Sequence, residues 1–227
     1  MSMDIIETMT KTGKRKSLYH FMRWENLDSI AYFDSLYSSN AMYPNADGRK
    51  RDRKVEGTYK NHPFILNAHL LIAKSMMDPD TDIRSFRAFL DKHVFLWPTL
   101  RMCQKMLRTY SRREPHNQFV VLQFDAFSLL FDHVSKVRLS KYDSGSMPRY
   151  PTHCSYRKTL RMFLPLDKLG KSRDSLVPRV PSEIHEILVE QKVNHLKRYL
   201  ECVYAERALD FSEQWRDFHR PFHLLYD

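Results

Sequence analysis

Leu18-Tyr19-His20-Phe21-Met22-Arg23-Trp24-Glu25-Asn26-Leu27-Asp28-Ser29-Ile30 is the stretch whose reading decides the fold. Its first part, Leu18 to Met22, is a short apolar and aromatic run with the length of a strand entering a sheet. It turns directly into an amphipathic helix pattern, with Asn26 as the N-cap and Leu27, Ile30 and Ala31 at helical spacing. A histidine inside such a strand is either a core imidazole bonded to backbone or a side chain aimed at a ligand. On this strand alone, His20 reads as the core imidazole.

Working outward, Phe119 to Asp125 is nearly continuously apolar and rich in β-formers, as a central strand should be, and Asp125 can cap a brief helix through Phe131. Val94 to Trp97, Val137 to Ser140 and Ile184 to Val193 read as further strands. In the last, a period of two puts Glu186, Leu188 and Glu190 on one face and Ile187, Val189 and Gln191 on the other. Helices are predicted over His62 to Met77, after a Thr81 cap, and from Pro98-Thr99 with Leu100, Cys103, Leu107 and Tyr110 inward. A C-terminal helix is predicted from the stripe Leu196, Leu200, Val203 and Tyr204, followed by a docked aromatic tail through Trp215, Phe218 and Phe222. Residues 1–16 read as a flexible basic arm and 17–227 as one α+β domain. Two irregular zones, Ser38 to Lys60 and Tyr142 to Arg179, hold much of the positive charge.

The chain has 227 residues with 42% hydrophobic content, enough for a core without disulfides or metal. Its formal net charge of +10 suits a polyanionic partner, nucleic acid first among them. Three cysteines, Cys103, Cys154 and Cys202, have no CxxC spacing and read as free thiols in a reducing compartment. No apolar stretch reaches membrane-spanning length and no secretory signal pattern opens the chain, so a cytoplasmic location is expected. The 11 histidines are scattered without an HExxH or paired His/Cys spacing, and no metal is expected. There is no GxGxxG, GxxxxGK[ST] or GxSxG, which removes Rossmann, P-loop and serine-hydrolase readings.

Leu18-Tyr19-His20-Phe21 followed by Glu25-Asn26-Leu27-Asp28-Ser29-Ile30 resembles the first motif of DarT-type ADP-ribosyltransferases, a "YH" strand followed by a helix with an "NL-SI" signature. Three later stretches resemble a related, poorly characterised bacterial family of the same superfamily. They are His93-Val94-Phe95-Leu96-Trp97-Pro98, then Val137-Arg138-Leu139-Ser140 with Asp143-Ser144-Gly145-Ser146, and His185-Glu186-Ile187-Leu188-Val189-Glu190. The ordered set runs from about residue 17 to 193. The resemblance implies an α+β ADP-ribosyltransferase fold in which two small packed sheets, flanked by helices, form an NAD cleft.

Carried onto this sequence, the resemblance makes His20 the first-strand histidine and Glu186 the catalytic glutamate, with Glu190 second because it shares the same face. It implies NAD contacts at His20, Phe21, Phe95, Trp97 and Ser140. Arg49 and Arg51, in the loop after the histidine strand, would meet cofactor phosphates or the target; Arg149 and Arg157 would lie in target-recognition loops. Two departures stand out: Met22 replaces a small hydroxyl residue, and Phe95 and Trp97 replace a stacking tyrosine, which keeps stacking but loses a phenolic hydrogen bond. Without the resemblance, Glu186 reads as a strand-end carboxylate paired to a neighbouring cation, and Phe95 and Trp97 as core.

The implied chemistry is mono-ADP-ribosylation of DNA or RNA by a toxin or defence effector, with an antitoxin or immunity protein as a possible partner. Cleaving nicotinamide from ribose builds charge on an oxocarbenium-like sugar, as in glycoside hydrolysis. The leaving group is already cationic, so one carboxylate can suffice. A second class of function keeps the fold as a catalytically inactive nucleic-acid-binding protein; a third keeps the enzyme but modifies a protein side chain or water.

Overall fold

The computed structural model describes residues 2–46, 48–148, 150–208, 213 and 215–226. Its first element corrects the expectation of a flexible arm, because α1 (Ser2–Thr10) is a helix with Ile6 and Met9 buried in the main core. Those two residues are three apart and share one helix face, so a mostly polar segment still has an apolar anchor. Strand β1 (Ser17–Arg23) is buried along almost its whole length, and helix α2 (Leu27–Phe33) buries Leu27 and Ala31. Asn26 makes no side-chain cap to α2. Its amide instead donates to the Ile65 carbonyl (2.9 Å) and accepts the Ile65 N–H (2.7 Å). Strand β2 (Ser35–Tyr37) and the single turn α3 (Ser39–Met42) follow.

The helix predicted over His62 to Met77 is replaced by a hairpin of β3 (Val55–Tyr59) and β4 (His62–Leu66), with an irregular run beyond it. Phe64 and Leu66 are buried while Pro63 is exposed, a period of two, and Lys60 and Asn61 both adopt positive φ (48° and 67°). Two left-handed residues between strands are the geometry of a tight hairpin turn, which outweighs the apolar count of the segment. Helix α4 (Ile83–Asp91) is capped by Asp82, one residue after the expected Thr81, through the Ser85 N–H (2.8 Å). Strand β5 (His93–Leu96) leads to α5 (Leu100–Arg113), capped by Thr99. Strand β6 (Phe119–Asp125) has the predicted bounds, and Asp125 caps α6 (Ala126–Asp132) through the Ser128 N–H.

Strands β7 (Val137–Ser140) and β8 (Phe163–Pro165) bracket the second irregular zone. The strand expected from Ile184 to Val193 breaks at Gln191, whose φ of 64° divides it into β9 (Glu186–Glu190) and β10 (Lys192–Asn194). The expected C-terminal helix shrinks to one turn, α7 (Leu196–Tyr199), before strand β11 (Leu200–Ala205) pairs with β6 and strand β12 (His219–Pro221) pairs with β11. Leu200, Val203 and Tyr204 fit a helical spacing, yet β6 offers a ladder edge and a bulge between Leu200 and Cys202 adjusts the register.

Two four-stranded sheets result among the described residues, ordered β1-β6-β11-β12 and β5-β9-β7-β8. Strands β6 and β9 are interior to them, which is why both are apolar on successive residues. The sheets meet where Tyr19 and Trp97 exchange backbone hydrogen bonds (3.0 and 2.8 Å). The main core draws on both sheets together with α1, α2 and α6. Helix α5 covers the other face of the first sheet, with Cys103 and Leu107 against Tyr19, Phe21 and Val121. Helix α4 covers the second sheet through Phe86 and Leu90, packed with Leu188 and Phe163. In the tail, Trp215 is fully buried and Leu225 joins the α5 cluster. Among the described residues, no helix is long and apolar enough to cross a membrane.

Candidate active site

A cleft opens at the junction of the sheets, and both His20 and Glu186 line it, as do Phe21, Phe95 and Trp97. His20 sits in mid-β1, half-buried, with its Nδ1 2.8 Å from the Phe95 carbonyl oxygen. A carbonyl only accepts, so Nδ1 carries the proton and Nε2 is left as an acceptor. Burial pulls the imidazole down to about 4, against the opposing effect of the Phe95 bond, so the ring is neutral near pH 7. One nitrogen of His20 is thus bound to backbone, as a core imidazole would be, and the residue also lines the cleft.

Glu186 begins β9 opposite Ser140 of β7 and is 3% exposed. Its Oε2 accepts the Ser144 N–H (3.0 Å) and the Ser144 hydroxyl (2.6 Å). Burial and the neighbouring Asp143 charge push its carboxyl up to about 8, while the Ser144 bonds and the Lys158 ammonium act the other way. It is thus no ordinary strand-end carboxylate in solvent. Glu190 shares the strand face but lies four residues on, roughly 13 Å along a strand, and lines a separate cavity with Lys92 and Lys192.

The aromatic pair behaves unequally. Trp97 is 7% exposed and stacks on Phe21 (centroids 5.0 Å apart, planes at 28°), so one of its faces is already covered. Phe95 is half-buried and bridges the two clusters packed under α5 and α4. Met22, the departure from the family pattern, is buried and also lines the cleft.

The lining also holds three arginines, Arg23, Arg51 and Arg87. Gly48 (φ 70°) lies against α4, where a Cβ would overlap the Arg84 carbonyl oxygen, and this close approach seats the following basic loop. Arg51 from that loop bonds Asp91 through Nη2 (2.8 Å) and the Asn67 carbonyl through Nε (3.1 Å). Arg23, at the end of β1, bonds the Asn67 side chain through Nε (2.7 Å) and pairs with Glu114. Asn67 therefore ties the two guanidiniums together. His69 receives the Arg51 N–H at Nδ1 (3.0 Å), so its Nε2 carries the proton toward Asp91 (3.1 Å). Burial opposes the charge on Asp91, but the His69 and Arg51 bonds outweigh it and hold the carboxyl below its ordinary range. Arg23 Nη1, Arg51 Nη1 and Arg87 Nε, all from cleft-lining residues, are buried donors with no hydrogen-bond partner among the described residues, as is the acceptor Asp91 Oδ2. Buried donors without partners are rare and call for an acceptor. Three guanidiniums against the carboxylates of Asp91 and Glu114 leave this part of the lining net positive.

Other expected contacts lie elsewhere. Ser140 does not line the cleft: its hydroxyl donates to the Tyr142 carbonyl (2.8 Å), and its backbone pairs with Glu186. Side chains alternate along β7, and this one turns into the adjoining loop. Arg49 and Arg157 are exposed and away from the cleft lining, and Arg149 lies outside the described residues. Asp91, His69 and Lys158 were not singled out by the sequence, and Arg23 and Ser144 stood in quoted motifs without a role assigned to them. Arg23 carried a signal, a charged residue closing a buried strand; Lys158 carried none. Among the described residues, no group of three or more His, Cys, Asp or Glu could hold a metal ion.

A model of the family of unknown function DUF7002 matches residues 16–200. No curated protein matches the chain significantly. Solved structures of Thermus sp. 2.9 DarT align over nearly the whole chain at low similarity. The complex with carba-NAD+ shares 13% identity at a TM-score of 0.42, covering 92% of this chain and 95% of that one. The complex with NAD+ shares 14% identity at a TM-score of 0.39, covering 92% and 93%. The complex with ADP-ribosylated ssDNA shares 14% identity at a TM-score of 0.42, covering 91% and 92%.

Proposed function

Because the chain belongs to the DUF7002 family, a family without an assigned function, we propose its activity from the cleft itself: an NAD-dependent ADP-ribosyltransferase that modifies nucleic acid. One observation carries this reading. His20 and Glu186, distant in sequence, line a single cleft whose lining also holds three arginines with unpartnered buried donors. A dinucleotide matches this lining. Its pyrophosphate is drawn by the positive charge of Arg51 and Arg87, the fully buried Arg23 adding to that charge without contact, and its ribose hydroxyls can donate to the free nitrogen of a neutral His20. Phe95 and the uncovered face of Trp97 offer apolar area for a flat ring.

Glu186 is the group that acts on the bond to nicotinamide. As that bond stretches, positive charge develops on the ribose, and the ionised form of Glu186, held in a water-poor wall, stabilises it far more than a carboxylate in solvent. Burial raises its proton affinity, so the ionised form gains population as pH rises through about 8, and it is that form which can take the proton of an attacking nucleophile. The net charge of +10 and the exposed basic residues Arg101, Lys105, Arg108 and Arg112 along α5 support a nucleic-acid acceptor. Incubation with NAD labelled in its adenylate portion, and separately with single-stranded DNA and RNA, tests the reading. Nicotinamide should be released and label should move to nucleic acid, with Glu186→Gln slower by about 10²–10³-fold. No nicotinamide released in the presence of any acceptor would end the enzymatic reading.

A further inference from the structure

Ser144 supplies both donors that hold Glu186, yet it belongs to a loop without regular secondary structure. The support for that loop comes from Lys158. Its side chain is fully buried, and Nζ donates to the Asp143 carbonyl (2.6 Å) and the Ser144 carbonyl (2.9 Å). Its backbone is equally fixed: Lys158 N–H donates to the Met76 carbonyl (2.7 Å), and its own carbonyl accepts Asp78 N–H (3.0 Å). Beside it, the rings of Tyr142 and Tyr156 stack at 3.8 Å and 13°. Three segments, around residues 77, 143 and 158, are stapled by one residue.

The chemistry of the staple is directional. The Asp143 carbonyl and the Ser144 N–H are the two ends of one peptide unit. Lys158 pulls electron density toward the carbonyl, and the N–H at the other end donates to Glu186 more strongly. An apolar side chain could fill the same space without desolvating an ammonium. What only the ammonium provides is a fixed orientation of that peptide. Burial works against its charge, and the carboxylates of Asp143 and Glu186, then Cys154, favour it.

We propose that Lys158 is the positioning residue of the cleft, acting through the Asp143–Ser144 peptide to aim the Glu186 carboxyl and hold it in the wall. The consequence for catalysis rests on the reading of Glu186 given above; the consequence for structure does not.

The test uses the full chain with Lys158→Met and with Lys158→Gln, whose amide can still donate to one carbonyl and which keeps the test open should the methionine variant not fold. Three readouts are taken: amide exchange at Ser144, titration of the Glu186 carboxyl by carbon NMR, and steady-state nicotinamide release. Exchange at Ser144 should accelerate about tenfold or more, the loss of one charge-assisted bond. Glu186 should titrate at higher pH, and kcat should fall on the order of tenfold or more while KM for NAD stays within about threefold. Lys158→Gln should fall between wild type and Lys158→Met. Unchanged Ser144 protection and an unchanged Glu186 titration in a folded variant would overturn the proposal, as would a KM that rises at constant kcat. A wild type that releases no nicotinamide would sink the transferase reading instead, leaving the first two readouts, which use no NAD, to decide on Lys158.

Discussion

Replacing Glu186 with glutamine should make the protein more stable in alkaline solution and leave it nearly unchanged in acid. In the folded chain the carboxyl titrates at about 8 against an ordinary value of 4.5. Between those values the native state keeps a proton that the unfolded chain has released. Stability therefore falls as pH rises through that window, and the full penalty is present above pH 8. Each pKa unit is worth about 1.4 kcal/mol, so the penalty is on the order of 5 kcal/mol at most. Glutamine has the same shape and still offers an oxygen to Ser144, but it never ionises. Urea denaturation of wild type and variant at pH 5.5 and pH 8.5 isolates the effect, since all other titrating groups are shared. The stability difference should grow by several kcal/mol in favour of the variant between the two conditions. Parallel pH profiles would show that Glu186 is an ordinary ionised carboxylate, and the reasoning about its burial would fail.

On the acid side, His20 titrates at about 4, below its ordinary 6.5, so the native state binds fewer protons there and stability drops as pH falls through that window. His20→Gln should flatten this limb in a thermal melt series. Asp91→Asn should cost about 3–5 kcal/mol in denaturant titration, because it strips a nearly buried partner from Arg51 and His69. Ile6→Ala should cost about 2–5 kcal/mol, a large loss for a residue so near the N-terminus, since its side chain is fully buried. Arg51→Met should weaken NAD binding in calorimetry by about tenfold or more while the protein stays folded; equal affinities would remove Arg51 from the anion site.

The parts of the fold set by local pattern were legible. The strand Phe119–Asp125 could be read because an interior strand is apolar at successive positions, Ser17–Arg23 because a short aromatic run is strand-like, and the Asp125 cap because a short acceptor side chain precedes a helix. Asn26 makes no side-chain cap, and the cap expected at Thr81 falls to Asp82. Segments whose spacing satisfies two periods were not. His62–Leu66 and Leu200–Ala205 carry apolar residues compatible with a helix, and what decides them is a ladder partner far away in sequence. The two cleft-lining residues His20 and Glu186 stand in the ordered motifs, but the groups that hold them do not announce themselves. Lys158 looks like any surface lysine in a basic loop, and its burial depends on a backbone bridge to Met77 that no local pattern encodes. Ser140 was misplaced for the converse reason: its strand was right and the direction of its hydroxyl depended on the loop that follows.

The exchange of two hydrogen bonds between Tyr19 and Trp97 has a mechanical consequence. Tyr19 immediately precedes His20, and Trp97 lies two residues after Phe95. Any rotation of one sheet on the other would turn about this stitch, so the imidazole beside it would move least.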